Sequence, residues 1–355
     1  MNKAEDTLLF LVRLGLGHEV PKDVADVDWN ELLDLSLNQG LTGIVVDGMN
    51  RCYDAGKTIG IGPSTKMKWI GAIARMEQNY RFHHEAIRQL ATFYAEHDIK
   101  MMVIKGLGLS LNYPVPNHRP TGDVDIYLFG KQKKGDSLIA NELNVSIDNS
   151  HHNHSVFGYK GIMIENHYNF VNVYAHRSQR KVDEWLKKEV VNAYEQDGVW
   201  LPSPQFNALY ILRHAASHFA AEQITMRHVL DWATFVDKHY SEVDWTSHWN
   251  MCQDLNMCKF LLALNEICVC HLGFPSDKFR IGEDHALTER VLNDILHPEF
   301  DKKSPKGVVP YVKARGEKWW ANRWKHKIVY SDSLLSTFVW QMVAHLMKPV
   351  SLRKK

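Results

Sequence analysis

The sequence is short of net charge, of long apolar runs and of paired cysteines. Its 42 Lys and Arg stand against 41 Asp and Glu, a formal +1. Bulk charge therefore gives no drive toward nucleic acid or a membrane surface, and any such contact must come from a local patch. A long nucleic acid is disfavoured as a partner on the same ground. No apolar run reaches the length of a membrane span. The five cysteines, Cys52, Cys252, Cys258, Cys268 and Cys270, are an odd number without zinc-type pairing. That pattern predicts buried free thiols in a reducing compartment. Glu5 and Asp6 precede the first apolar run and no cleavage site follows it, so a cytoplasmic protein is the simplest expectation. Internal repeats and long low-complexity stretches are missing too, which removes repeat architectures.

What remains is an ordinary globular balance, 45% hydrophobic and 23% charged over 355 residues, enough for two or three domains or one core with helical additions. Apolar stripes at helical spacing predict an N-terminal helical region over 1–97, with Asp28 as one cap and Ser64 opening a long helix to His97. That helix would bury Trp69, Ile70, Ile73, Met76, Tyr80, Ile87, Leu90 and Tyr94. Residues 98–200 read as a sheet-containing core. Trp200-Leu201-Pro202-Ser203-Pro204 marks a boundary, and 201–355 reads as a C-terminal helical region. In it His214 and His218 share one face of a helix, four residues apart. They are expected to line a helix interface or to reach the active cleft. In the basic tail Lys313, Arg315, Lys318, Trp319, Trp320, Arg323, Trp324 and Lys325 interleave charge with rings. The favoured reading is an amphipathic helix with its tryptophans on the core, rather than a base-stacking or membrane-surface segment.

The stretch Met101 to Leu128, MMVIKGLGLSLNYPVPNHRPTGDVDIYL, carries the chemistry. Side chains alternate along a strand, so Asp123 and Asp125 point the same way, and their mutual repulsion calls for a divalent cation. Val124, Ile126 and Leu128 would face the core. Upstream, Met101–Ile104 suits a buried strand ending at Lys105-Gly106, after which a short helix over Leu107–Tyr113 stops at Pro114. A strand, a glycine turn and a helix start gather backbone N–H groups at one spot, which favours phosphate. Lys105 adds a point charge there, and Arg119 a planar fork for phosphate or for a carboxylate of the site. Further on, alternation along Gly161–Val173 puts Glu165 and His167 on one face. Ser150–Ser155, SHHNHS, reads as a polar hairpin turn rather than a metal site.

The string Lys105-Gly106, Tyr113-Pro114, Arg119 and Gly122-Asp123-Val124-Asp125-Ile126 resembles the nucleotidyltransferase superfamily with the DNA polymerase β type of fold. Within it, the likeness is to the bacterial family known mainly as uncharacterised nucleotidyltransferases. Leu107 stands where the superfamily often has a small residue after the glycine. The resemblance implies an α+β fold, a small mixed β-sheet core flanked by N- and C-terminal helices. It implies Mg²⁺ (or Mn²⁺) on Asp123, Asp125 and a third acid, for which Glu165 followed by His167 fits. It further implies Lys105, Gly106, Arg119 and Gly122 at the phosphates of an NTP, and a hydroxyl acceptor that could be a small molecule, a sugar, a protein or an RNA end. The competing expectation is a catalytically inactive binding or regulatory protein on the same fold.

Overall fold

A computed structural model describes residues 1–221, 223–298 and 308–347 of the chain. Compactness divides it into two units. One comprises Met1–Ala72 with Ile211–Leu334, the other Ile73–Tyr210 with the segment from Leu335 onward. In chain order the helices and strands up to the boundary at Tyr210 are α1 (Lys3–Leu16), α2 (Trp29–Gln39), α3 (Thr42–Asp54), α4 (Pro63–Ala95), β1 (Met102–Val103), α5 (Leu107–Ser110), β2 (Val124–Tyr127), α6 (Gln132–Glu142), β3 (His154–Tyr159), β4 (Ile162–His167), α7 (Gln179–Glu189), β5 (Tyr194–Gln196), β6 (Val199–Leu201) and α8 (Pro204–Ala221), which runs across it. Beyond it come α9 (Met226–His239), α10 (Trp245–Asp254), α11 (Cys258–Cys270), α12 (His285–Leu296), α13 (Val308–Ala321), α14 (Arg323–Val329) and α15 (Leu334–Met347). The architecture is α+β, as expected.

The sheet belongs to the second unit and is ordered β3-β4-β2-β1-β6-β5. β2 with β4 and β1 with β6 run parallel, and the other neighbours antiparallel. One sheet face closes on α4 and α6. Ala86, Ile87, Leu90, Ala91 and Tyr94 form the helical stripe that meets Val124, Ile126, Leu128, Ile139, Phe157, Ile162 and Ile164 in one buried cluster. Val124, Ile126 and Leu128 thus face the core as their alternation predicts. Within α6, a Cβ added at Gly135 would stand 2.2 Å from Leu128 Cδ1. That glycine is a packing contact, closed over by Leu128 and Tyr94. Of the stripe expected on α4, Trp69, Ile87, Leu90 and Tyr94 are buried, Ile73, Met76 and Tyr80 half-buried, and Ile70 exposed.

The hairpin β3–β4 turns at Lys160-Gly161, both at positive φ (50° and 80°), the pairing favoured by two-residue hairpin loops. The SHHNHS segment is therefore not the turn. Its last histidine, His154, opens β3 instead. A second hairpin, β5–β6, turns at Asp197-Gly198 with φ 52° and 79°. α15 returns to this unit, where Thr337 Oγ1 lies 3.4 Å from His176 Nδ1.

The first unit is helical. α1 and α3 cross so closely that a Cβ added at Gly48 would stand 2.1 Å from the Leu11 carbonyl oxygen, and one at Gly15 2.2 Å from that of Ile44. Asp28 caps α2, accepting from the backbone N–H of Asn30 and Glu31 at 2.9 and 3.1 Å. Arg213 is fully buried and donates from Nη1 to the Val329 carbonyl at 2.6 Å, at the end of α14, with its guanidinium over the Tyr330 ring. The tail tryptophans divide: Trp324 packs edge-on against Phe219 at 5.5 Å, while Trp319 and Trp320 are exposed. The side chains of Lys313, Arg315 and Lys318 lie outside the described residues. The five cysteines are free, and Cys52, Cys252 and Cys268 are buried. Among the described residues no helix is long and apolar enough to cross a membrane.

Candidate active site

The parallel pairing of β2 with β4 sets Asp125 directly beside Glu165. Facing residues of adjacent strands share a sheet face, so the carboxylates emerge on the side opposite the apolar cluster. Asp123 precedes β2 by one residue and completes the group: carboxylate oxygens of Asp123, Asp125 and Glu165 lie within 4.8 Å of one another. The antiparallel register of β3 on β4 then pairs His154 with His167 and puts both rings on this face, 5.1 Å apart.

The two aspartates differ in cover. Asp123 is exposed, whereas Asp125 is 2% exposed. Its charge is compensated from two directions: Lys105 Nζ stands 2.9 Å from Oδ2, and His167 Nε2 donates to Oδ1 at 2.9 Å. Burial alone would push this carboxyl up, but the Lys105 ammonium and the His167 imidazolium outweigh it and hold it well below the usual carboxylate range. Burial likewise works against a proton on His167, yet hydrogen bonds to Asp125 and Glu165 push it up to about 9. Glu165 is lowered, burial being outweighed by His167 and then His154. His154 moves the other way, its burial taking it down to about 4 against the pull of Glu165. Near neutral pH Asp125 and Glu165 are therefore ionised beside a protonated His167, with His154 neutral.

These shifts fix a pH dependence for the protein without added metal. The stability that His167 contributes is fully present below its ordinary value of 6.5 and is lost as pH rises through about 9. That of Asp125 is present above 3.8 and is lost only as pH falls through its much lower folded value. His154 opposes acid, because between 6.5 and about 4 only its unfolded form takes up a proton. Thermal stability should thus peak near pH 6.5 and fall from there toward about 9 in wild type, with His167→Gln losing the alkaline decline. An equal decline in that variant would remove His167 as its source.

The remaining predicted residues take varied positions. Gly106 has φ 64° and ψ −99°, a backbone conformation that only glycine adopts comfortably, and a Cβ there would meet nothing within 4 Å. The helix it starts, α5, is one turn long and shorter than expected. Gly122 is exposed, one residue before Asp123. Arg119 is buried, 6% exposed, and donates to the Pro120 carbonyl at 3.3 Å. The His214 and His218 rings lie 4.4 Å apart, tilted by 59°, on the part of α8 that belongs to the other unit, each 6.2 Å from the His228 ring. His154 was passed over in the sequence, although its place could have been found. Once Lys160-Gly161 is taken as a two-residue turn, counting outward pairs position 154 with 167.

The donor set suits a hard divalent cation. Asp125 Oδ2 is buried with no aligned hydrogen bond, Lys105 being an ion-pair neighbour only, and further carboxylate oxygens converge on it. The family model described as "Uncharacterised nucleotidyltransferase" matches residues 25–273. Neither the curated proteins nor the solved structures contain a match.

Proposed function

The chain belongs to the uncharacterised nucleotidyltransferase family, and we propose that it transfers an NMP from an NTP to an acceptor hydroxyl with release of pyrophosphate. The observation that carries this reading is the convergence of Asp123, Asp125 and Glu165 within 4.8 Å on adjoining strands. These residues would hold Mg²⁺ (or Mn²⁺), which supplies charge neutralisation for the triphosphate. The acceptor oxygen forms a bond to the α-phosphorus as the bond to the bridging oxygen of the β-phosphate breaks. Glu165, on β4, would receive the hydroxyl proton or help hold the cation. Lys105, beside Asp125, would turn its charge to the phosphates, and Gly106 would let backbone approach them. Arg119 and Gly122 border this segment and complete the phosphate side. The free thiols suit a reducing cytoplasm.

A small molecule, a sugar, a protein hydroxyl or an RNA end all satisfy the chemistry of the acceptor. The second reading, a non-catalytic binding or regulatory protein, draws on the Lys105–Asp125 ion pair, which already neutralises the acid a cation would need.

Calorimetry with each NTP, with and without Mg²⁺, separates the two. Wild type is expected to bind one NTP only with Mg²⁺, and Asp123→Ala to weaken that binding by at least about tenfold. Asp123 is exposed, so its removal should change stability by less than about 0.5 kcal/mol. Binding of no NTP by the intact wild type would favour the non-catalytic reading.

A further inference from the structure

We propose that the open end of the β3–β4 hairpin is a second cation position, built from His154, Glu165 and His167, and that it takes a transition-metal ion of the Zn²⁺ and Co²⁺ class rather than Mg²⁺. It deepens the reading above, resting on the same strands, but its chemistry is separate because two of its three donors are imidazole nitrogens.

The distances are close to those of a ligand shell. His154 Nδ1 lies 3.7 Å and His167 Nε2 3.5 Å from the same oxygen, Glu165 Oε2. Around an ion bound tetrahedrally at 2.0–2.1 Å, neighbouring donors sit about 3.3 Å apart. One donor atom from each of His154, Glu165 and His167 falls within 4.8 Å of the others. Asp125 Oδ1 borders the group, 2.9 Å from His167 Nε2, and a solvent molecule would take the fourth place.

The outer contacts point the same way. His167 Nδ1 lies 3.2 Å from the Asn169 carbonyl and donates to it, the arrangement that fixes a ligating histidine and turns its other nitrogen to a metal. That Nε2 faces oxygens of both Asp125 and Glu165, so something positive has to stand between them, a proton or an ion. On metal binding the proton leaves to solvent. Across the hairpin, His154 Nε2 is buried and has no hydrogen-bond partner, so no hydrogen bond ties that nitrogen down, and the ring rests on that of His151 at 4.7 Å. Imidazole favours zinc and its neighbours over Mg²⁺, which keeps to oxygen. The register explains the neighbourhood: Glu165 borders both positions, with Asp123 on the oxygen side only and His154 on the nitrogen side only.

The test is titration of the untagged, full-length, metal-free protein with Co²⁺ in the absence of nucleotide, followed by visible absorption. The expected result is one equivalent bound, with the intense bands of a four-coordinate, nitrogen-ligated ion that millimolar Mg²⁺ does not remove. His154→Ala should weaken Co²⁺ at least tenfold, and His154→Asn should do the same, while Asp123→Ala should leave the spectrum and affinity in place. Weak, octahedral-type absorption in wild type, displacement by equal Mg²⁺, or indifference to both His154 substitutions would each overturn the proposal. The wild-type spectrum and the Mg²⁺ competition decide the matter even if the variants fold poorly. Because no NTP is present, a protein that binds Co²⁺ this way but takes no nucleotide would keep this inference and lose the transferase reading.

Discussion

Asp125→Ala is expected to abolish turnover and to destabilise the protein, whereas Asp123→Ala removes activity alone. The two acids differ by one intervening residue and belong to the same cation position, but their surroundings are unlike. Asp125 is 2% exposed between Lys105 and His167, each 2.9 Å from one of its oxygens. Deleting its carboxylate leaves two positively charged groups facing each other around a cavity, and breaking a buried pair in this way costs about 3–5 kcal/mol. His167 would shed its proton to relieve part of that cost, so the lower end is the better expectation at neutral pH. Loss of a cation ligand at the reacting phosphate should reduce kcat/KM on the order of 10³-fold. Paired thermal melts and NMP-transfer assays check both halves. If Asp125→Ala melts with wild type, the ion pairs around it contribute nothing net, and the charge arrangement described for the site is wrong.

The acidic strands were legible because a strand has a period of two: Asp123 could be placed on one face with Asp125, and Glu165 with His167, without knowing any tertiary contact. Their meeting required the parallel β2–β4 pairing, which no local pattern states. Lys105 shows the limit more sharply. As a residue beside a glycine turn it read as a phosphate contact, but apart from ligand its ammonium settles on Asp125, a preference set by burial and charge rather than by sequence spacing. His154 was missed through the assignment of its segment to a turn, and Lys160-Gly161, which supplies the turn, was the signal for the correct register. The β5–β6 hairpin carries Asp197-Gly198, the dipeptide most favourable for such a turn, but its strands span three residues each, too few for alternation to declare itself. Gly135, inside α6, gives no such signal. A glycine inside a helix looks like a breaker unless one knows that Leu128 and Tyr94 lie against it.

Gly48→Ala should be strongly destabilising even though alanine is the better helix former. In an exposed helix interior the exchange would gain about 1 kcal/mol. Here the new methyl would stand 2.1 Å from the Leu11 carbonyl oxygen and 2.9 Å from its carbonyl carbon. Both are backbone atoms of α1, so no side-chain rotation can relieve the overlap and the two helices must separate by an ångström or so. Separation strips contacts from Leu8, Leu11, Val12, Ile44 and Val45, all 1% exposed or less. Overpacking of this kind costs about 1–3 kcal/mol and occasionally more, and with rigid backbone as the obstacle the net loss is expected near 3 kcal/mol. Gly15 makes the reciprocal contact, 2.2 Å from the Ile44 oxygen. Gly15→Ala should therefore behave alike, and the double variant should lose less than the sum, since one separation accommodates both methyls. Denaturant titrations of the two single variants and the double would read this coupling directly. Additive losses would mean that the crossing yields locally at each glycine, and a Gly48→Ala protein as stable as wild type would mean that α1 and α3 do not approach this closely.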